Sequence, residues 1–189
     1  MQKLLQEIRA CTVCEKELPL GPRPIVAASA SSKIAVIGQA PGTAVHESGI
    51  PWDDPSGRRL REWMGISDED FYDESKIAII PMGFCYPGKG KSGDLPPRPE
   101  CAPLWHKPLF EAIDEIKLTL LIGQYAQKYY LEDRAERTLT ETVQNYKEYL
   151  PEYLPLPHPS PRNNIWLKKN EWFEKDLVPK LKTIIHSAL

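Results

Sequence analysis

No apolar run in this 189-residue chain approaches the ~20 residues a bilayer-spanning helix needs. That excludes a helical membrane protein. The first residues, Met1 to Arg9, lack the apolar core and small-residue cleavage site of a secretory signal, so the expected setting is the cytoplasm, with no membrane partner. Charge of one sign is not in excess either: the formal net charge is −2. Any nucleic-acid binding must then rest on a local basic face rather than on overall charge. Internal repeats are absent, and nothing marks a second domain. A single domain over residues 1–189, acting as a monomer, is the expectation.

Proline, by contrast, is abundant at 19 residues and falls mostly between apolar segments, a pattern of stiff, shaped loops rather than disorder. The segment on which the chain is organised is Lys33 to Gly42, Lys-Ile-Ala-Val-Ile-Gly-Gln-Ala-Pro-Gly. Ile34 to Ile37 form a continuous apolar run, as expected of a strand buried on both faces. Gly38 ends it, and Gln39, Ala40, Pro41 and Gly42 form the loop at its carboxyl end, where open α/β sheets bind ligands.

Further strands are expected over Lys76–Ile80, Leu118–Ile122 and Tyr153–Pro157, with helices between them over 56–64, 101–116, 123–131 and 139–150. A final amphipathic helix is expected from Trp166 to Ile185, broken near Pro179. This alternation gives a mostly parallel sheet with helices on both faces. Gly88 to Pro99, with Lys89, Lys91 and Arg98, is long and shows no periodicity, which suits a functional loop.

Only four cysteines are present: Cys11, Cys14, Cys85 and Cys101. A C-x-x-C pair with two distant partners serves redox, zinc or iron–sulfur chemistry, and spacing alone does not choose among them. Buried free thiols with no metal are the plainer alternative.

The strand and loop Gly38-Gln-Ala-Pro-Gly42, the Trp52 that follows Gly49-Ile-Pro51, and the late string His158-Pro-Ser-Pro-Arg-Asn163 together resemble the uracil-DNA glycosylase superfamily. The cysteine pattern is similar to its iron–sulfur branch, family 4, and the His-Pro-Ser-Pro-Arg-Asn string to its single-strand-selective branch. The resemblance implies an α/β fold, a three-layer α/β/α sandwich around a four-stranded, mostly parallel sheet. It also implies a [4Fe–4S] cluster on Cys11, Cys14, Cys85 and Cys101, with zinc as the alternative metal.

The implied reaction is hydrolysis of the bond between deoxyribose and uracil or a related deaminated base, flipped out of DNA into a pocket. His158 and Gln39 would be catalytic, and Gly38, Gln39, Ala40, Trp52 and His158 would hold the base. Pro159, Ser160, Arg162 and Asn163, with Lys89 and Lys91, would contact DNA. The other basic residues, Arg58, Arg59, Arg61, Arg98, Lys168 and Lys169, are expected to converge on the same rim. A catalytically weak module that binds uracil-containing or single-stranded DNA is the alternative.

Two departures bear on chemistry. The first motif carries Gln39 and Ala40 where the branches of the superfamily place a carboxylate, so Glu47, Asp53 or Asp54 would have to substitute. Pro81-Met-Gly83 stands where several branches place an Asn that reads the base edge. That task would fall to backbone groups, Gln39 or Asn164.

Overall fold

The computed structural model describes residues 1–189. Its centre is a four-stranded sheet in the order β2-β1-β5-β6, with every neighbouring pair parallel. The strands are β1 (Ile34–Ile37), β2 (Ile77–Ile79), β5 (Leu118–Ile122) and β6 (Tyr153–Leu156). A separate hairpin pairs β3 (Lys89–Gly90) with β4 (Gly93–Asp94). The helices are α1 (Gln2–Arg9), α2 (Thr43–Ser48), α3 (Pro55–Met64), α4 (Asp68–Tyr72), α5 (Cys101–Glu111), α6 (Gln124–Leu131), α7 (Leu139–Gln144), α8 (Asn164–Lys169) and α9 (Val178–Ala188).

The apolar run at β1 is continuous because both of its faces are covered. Ile34 and Val36 join one hydrophobic layer with residues of α3 and α9, including Leu60, Met64 and Leu181. Ala35 and Ile37, the alternate residues, join a second layer with residues of α1, α5 and α6, including Leu5, Leu109 and Ala126. Period-two alternation thus divides one strand between two cores, giving the α/β/α sandwich.

Strand order also fixes where a ligand can bind. The chain passes from β1 to β2 on one side, then crosses to β5 on the other. Order reverses at β1, and the loops leaving neighbouring strands diverge there to open a crevice at their carboxyl ends.

Three expected elements differ in extent. The helix starting at Cys101 stops at Glu111 instead of Ile116, after which the Asp114 N–H donates to Ala30 at 3.1 Å on the way into β5. The helix expected over 139–150 is α7, opened by a Thr138–Glu141 capping box, followed by a separate 3₁₀ turn over Tyr146–Tyr149. The last helix breaks at Asn170, not Pro179. The Asn170 side chain donates to the Trp166 carbonyl at 2.9 Å and closes α8. A π-helical turn, Phe173–Leu177, then leads into α9, with Pro179 in its first turn, where a missing N–H costs nothing.

The stretch Gly88 to Pro99 is not structureless, since it contains the β3–β4 hairpin. No helix is long and apolar enough to cross a membrane.

Candidate active site

A cleft of about 560 Å³ lies at the carboxyl ends of the parallel strands. Every strand of the main sheet contributes to its wall. Gly38 to Gly42 come from the loop after β1, Pro81 from that after β2, Gln124 and Tyr125 from α6 after β5, and His158 from the turn after β6. Trp52, Asp54 and Asp94 complete the lining from outside the sheet.

Trp52 is placed by close approach. Its backbone has φ 58°, in the left-handed region that costs a bulky residue about 1–3 kcal/mol. Two glycines make room for it. A Cβ on Gly57 would lie 1.7 Å from the Trp52 carbonyl oxygen, and one on Gly38 would lie 2.7 Å from Cζ2 of the indole. The indole therefore rests directly on the backbone that ends β1. Asp54 fixes the approach from the other side by capping α3, its Oδ1 accepting from the Gly57 N–H at 2.7 Å.

His158 follows β6 and faces Trp52, their ring centroids 5.7 Å apart and their planes tilted by 31°. The Ser160 N–H donates to His158 Nδ1 at 3.2 Å. That bond assigns the proton of the neutral ring to Nε2, which has no protein partner. Asn163 braces the same turn, its Nδ2 donating to the His158 carbonyl at 2.7 Å. Burial pushes the His158 imidazole down to about 4, with Asp54 opposing more weakly. At neutral pH the site thus presents an uncharged N–H donor in a desolvated setting.

The base-binding residues expected from sequence, Gly38, Gln39, Ala40, Trp52 and His158, all line this one cleft. Ser160, Arg162 and Asn163 line it too, while Pro159 is buried and gives its carbonyl to Arg59 at 3.2 Å. Lys89 and Lys91 are exposed on the hairpin beside the cleft and do not line it. The basic residues do not all converge. Arg61 is buried in a 2.6 Å ion pair with Asp68, and Arg98 pairs with Glu100 at 2.5 Å. Both hold structure together rather than standing free.

Of the three acids considered as substitutes, Asp54 reaches the cleft and Glu47 and Asp53 do not. Asp94, which sequence reasoning missed, also lines it. Asn164 does not; its side chain accepts from Arg59 at 2.9 Å.

Near Pro81 several backbone groups are engaged. Met82 and Gly83 donate to Gly38 and Gln39 at 2.9 Å each. The buried His106 sits 3.1 Å from the Pro81 carbonyl through Nε2 and 2.6 Å from the Tyr130 hydroxyl through Nδ1. Since a carbonyl only accepts, Nε2 carries the proton and Tyr130 donates to Nδ1. The Gln39 side chain is left as an uncommitted amide in the wall.

The cysteines gather elsewhere. All four thiols are free, and Cys14, Cys85 and Cys101 are buried. Cys85 feels the charge of Cys11 and Cys14, Cys101 that of Cys85 and Cys11, and Cys14 that of Cys101. Burial raises Cys14 and Cys85 to about 11. Donors are nonetheless directed at sulfur, the Arg23 and Phe84 backbone N–H groups at Cys85 and Cys101 and the Arg98 side chain at Cys14. No three His, Cys, Asp or Glu side chains stand close enough to hold a single metal ion.

The fold is thus an α/β protein with a parallel sheet and a cleft at its strand ends, walled by an aromatic ring and a neutral histidine donor. Residues 26–182 match the model of the uracil DNA glycosylase superfamily, and the chain belongs to that superfamily.

Proposed function

We propose that the protein is a monofunctional DNA glycosylase that excises uracil or a related deaminated base and leaves an abasic site. The observation that carries this reading is the facing pair Trp52 and His158 over the Gly38–Gly42 loop, in a cleft that all four strand ends build. A base inside a duplex is out of reach of such a cleft, so it must be extruded. Trp52 offers a face on which the extruded ring stacks, worth ~1–3 kcal/mol.

As the glycosidic bond lengthens, the base takes up negative charge and the sugar becomes cationic. The Nε2–H of His158 donates to the developing anion without transferring its proton, and one such fixed donor is worth ~10²–10³ in rate. The uncommitted Gln39 amide orients water or reads the base edge, since Pro81 has no side-chain amide and its carbonyl already accepts from His106. Ser160, Arg162 and Asn163 meet the DNA strand beside the cleft, and Lys89 and Lys91 on the hairpin supply charge against phosphate.

The thiols of Cys11, Cys14, Cys85 and Cys101 would hold a [4Fe–4S] cluster. The proximity of the four cysteines to one another and the donors directed at their sulfurs support this reading, with zinc as the alternative metal. When bound, it supplies a structural tie between the amino-terminal segment and the loops around Cys85 and Cys101. The reading takes residues 1–189 as one domain, working as a monomer in the cytoplasm.

Gln39 in place of a carboxylate favours a second reading, a weakly catalytic module that binds uracil-containing or single-stranded DNA. Incubation with single- and double-stranded oligonucleotides carrying uracil, hypoxanthine or xanthine, followed by alkali, separates the two. Strand cleavage at a deaminated base supports the glycosylase. Retained binding with no cleavage at any base supports the module.

A further inference from the structure

The cleft contains an acid that no comparison with known motifs assigns. We propose that Asp94, carried by the β3–β4 hairpin, is the catalytic carboxylate that activates water in place of the one missing beside Gln39. This inference rests on the glycosylase reading above.

Gly38 and Gly42 bracket the loop after β1, and each is approached by one side chain. Trp52 lies against Gly38, and Asp94 lies against Gly42, its Oδ2 3.5 Å from the position a Cβ would occupy there. Gln39 sits between the two contacts. An extruded ring stacked on Trp52 therefore has the Gln39 amide beside it and the Asp94 carboxylate at the far end of the same short loop.

Asp54, the other acid in the cleft, is less suited. One of its oxygens is committed to the Gly57 N–H, and its charge acts on His158, the group that must receive a leaving anion. Asp94 is exposed to the cleft and makes no hydrogen bond or ion pair with protein, not even with Lys89 directly across the ladder. Both of its oxygens are free to hydrogen-bond a water.

The hairpin that carries it is not loose with respect to the DNA-facing turn. A Cβ on Gly93 would fall 2.0 Å from Nη1 of Arg162, so the guanidinium comes up against the hairpin backbone through Nη1 at the residue next to Asp94. The turn after His158 and the carboxylate are thereby registered to each other across the cleft.

In the step assigned to it, the C1′–N bond breaks and its electron pair leaves with the base. Water oxygen bonds to C1′, and the water proton passes to the Asp94 carboxylate. The departing anion, held by His158 Nε2–H, is then protonated from solvent, and Asp94 returns its proton to solvent. The products are the free base and the hemiacetal abasic site.

The test compares wild type, Asp94→Asn, Asp94→Glu and Asp94→Ala under single-turnover conditions, with affinity measured on a non-cleavable fluorinated analogue of the substrate. Asp94→Asn is expected to lower the cleavage rate roughly a hundredfold with affinity within twofold of wild type. Asp94→Glu is expected to recover part of that rate, and added formate to accelerate Asp94→Ala. An Asp94→Asn rate equal to wild type overturns the assignment, as does a rate loss fully matched by lost affinity, or one that formate and Glu both fail to relieve. Wild type inactive on every deaminated base would instead sink the glycosylase reading itself, and this assignment with it.

Discussion

The Trp52 indole and the His158 imidazole lie 5.7 Å apart, centroid to centroid, although one precedes α3 and the other follows the last strand of the sheet. Neither position is left to side-chain choice. Trp52 is held against two glycine backbones, and His158 is held through Nδ1 and through its own carbonyl. The gap beside them is a fixed feature of the fold, of the kind that a reaction with little covalent help from protein requires.

Replacing Gly57 with Ala should disturb this pair from a distance. The new Cβ would meet the Trp52 carbonyl at 1.7 Å, so either α3 or the Trp52 turn must move. We expect a loss of about 1–3 kcal/mol of stability, as for other overpacked sites, together with a fall in activity. Trp52→Ala should leave stability closer to wild type and weaken binding of an extruded base by ~1–3 kcal/mol. Urea unfolding and binding to an oligonucleotide with a non-cleavable uracil analogue read the two effects separately.

Acid should destabilise the protein earlier than carboxylate titration alone would. Burial lowers both His106 and His158 to about 4 in the folded state, against ~6.5 for an unperturbed histidine. The unfolded chain then binds more protons between those values, so stability is lost as pH falls from about 6.5 toward 4 and is flat in these groups above that window. For His106, the more deeply buried ring, the loss is on the order of 3 kcal/mol. Unfolding midpoints at pH 7 and pH 5 check this, and replacing His106 with Phe should reduce the difference between them.

The cysteine site gives a prediction independent of catalysis. Anaerobically purified protein should be brown and contain iron and acid-labile sulfide. Cys85→Ser should bleach the colour and lower solubility and thermal stability more than it alters base preference. A colourless preparation that contains zinc, or normal folding and stability of Cys85→Ser, would exclude a four-cysteine cluster.

Much of this could be read along the chain because the signals were local or carried by rare residues. The run Ile34 to Ile37 stated its own double burial, and the tryptophan and histidine turns were marked by glycine and proline. The hairpin is hidden for a physical reason: two-residue strands rich in glycine have no room for alternation, so nothing in the sequence sets Asp94 apart. Asp54 was distinguishable from Asp53 by its place before Pro55 at the start of α3, a capping signal whose position in the cleft is a tertiary fact. Arg61 illustrates the opposite error. Its basic neighbours suggest a place on the DNA-facing rim, but helical spacing turns it inward to Asp68 and the Phe71 and Tyr72 rings. The break at Asn170 rather than Pro179 follows from a side-chain hydrogen bond that competes with the helix, whereas a proline in a first turn is tolerated.

The most direct measurement is the single-turnover rate of abasic-site formation on a uracil-containing oligonucleotide, for wild type and for His158→Ala, between pH 5.5 and 8. On the proposed reading His158 is a neutral donor, pushed down to about 4 by burial, so its contribution should not vary with pH across this range. His158→Ala should be slower by ~10²–10³ at every pH, with affinity for the oligonucleotide retained. An unchanged rate in His158→Ala, or a deficit that vanishes as pH rises toward 8, would contradict a neutral histidine donor at the centre of this site.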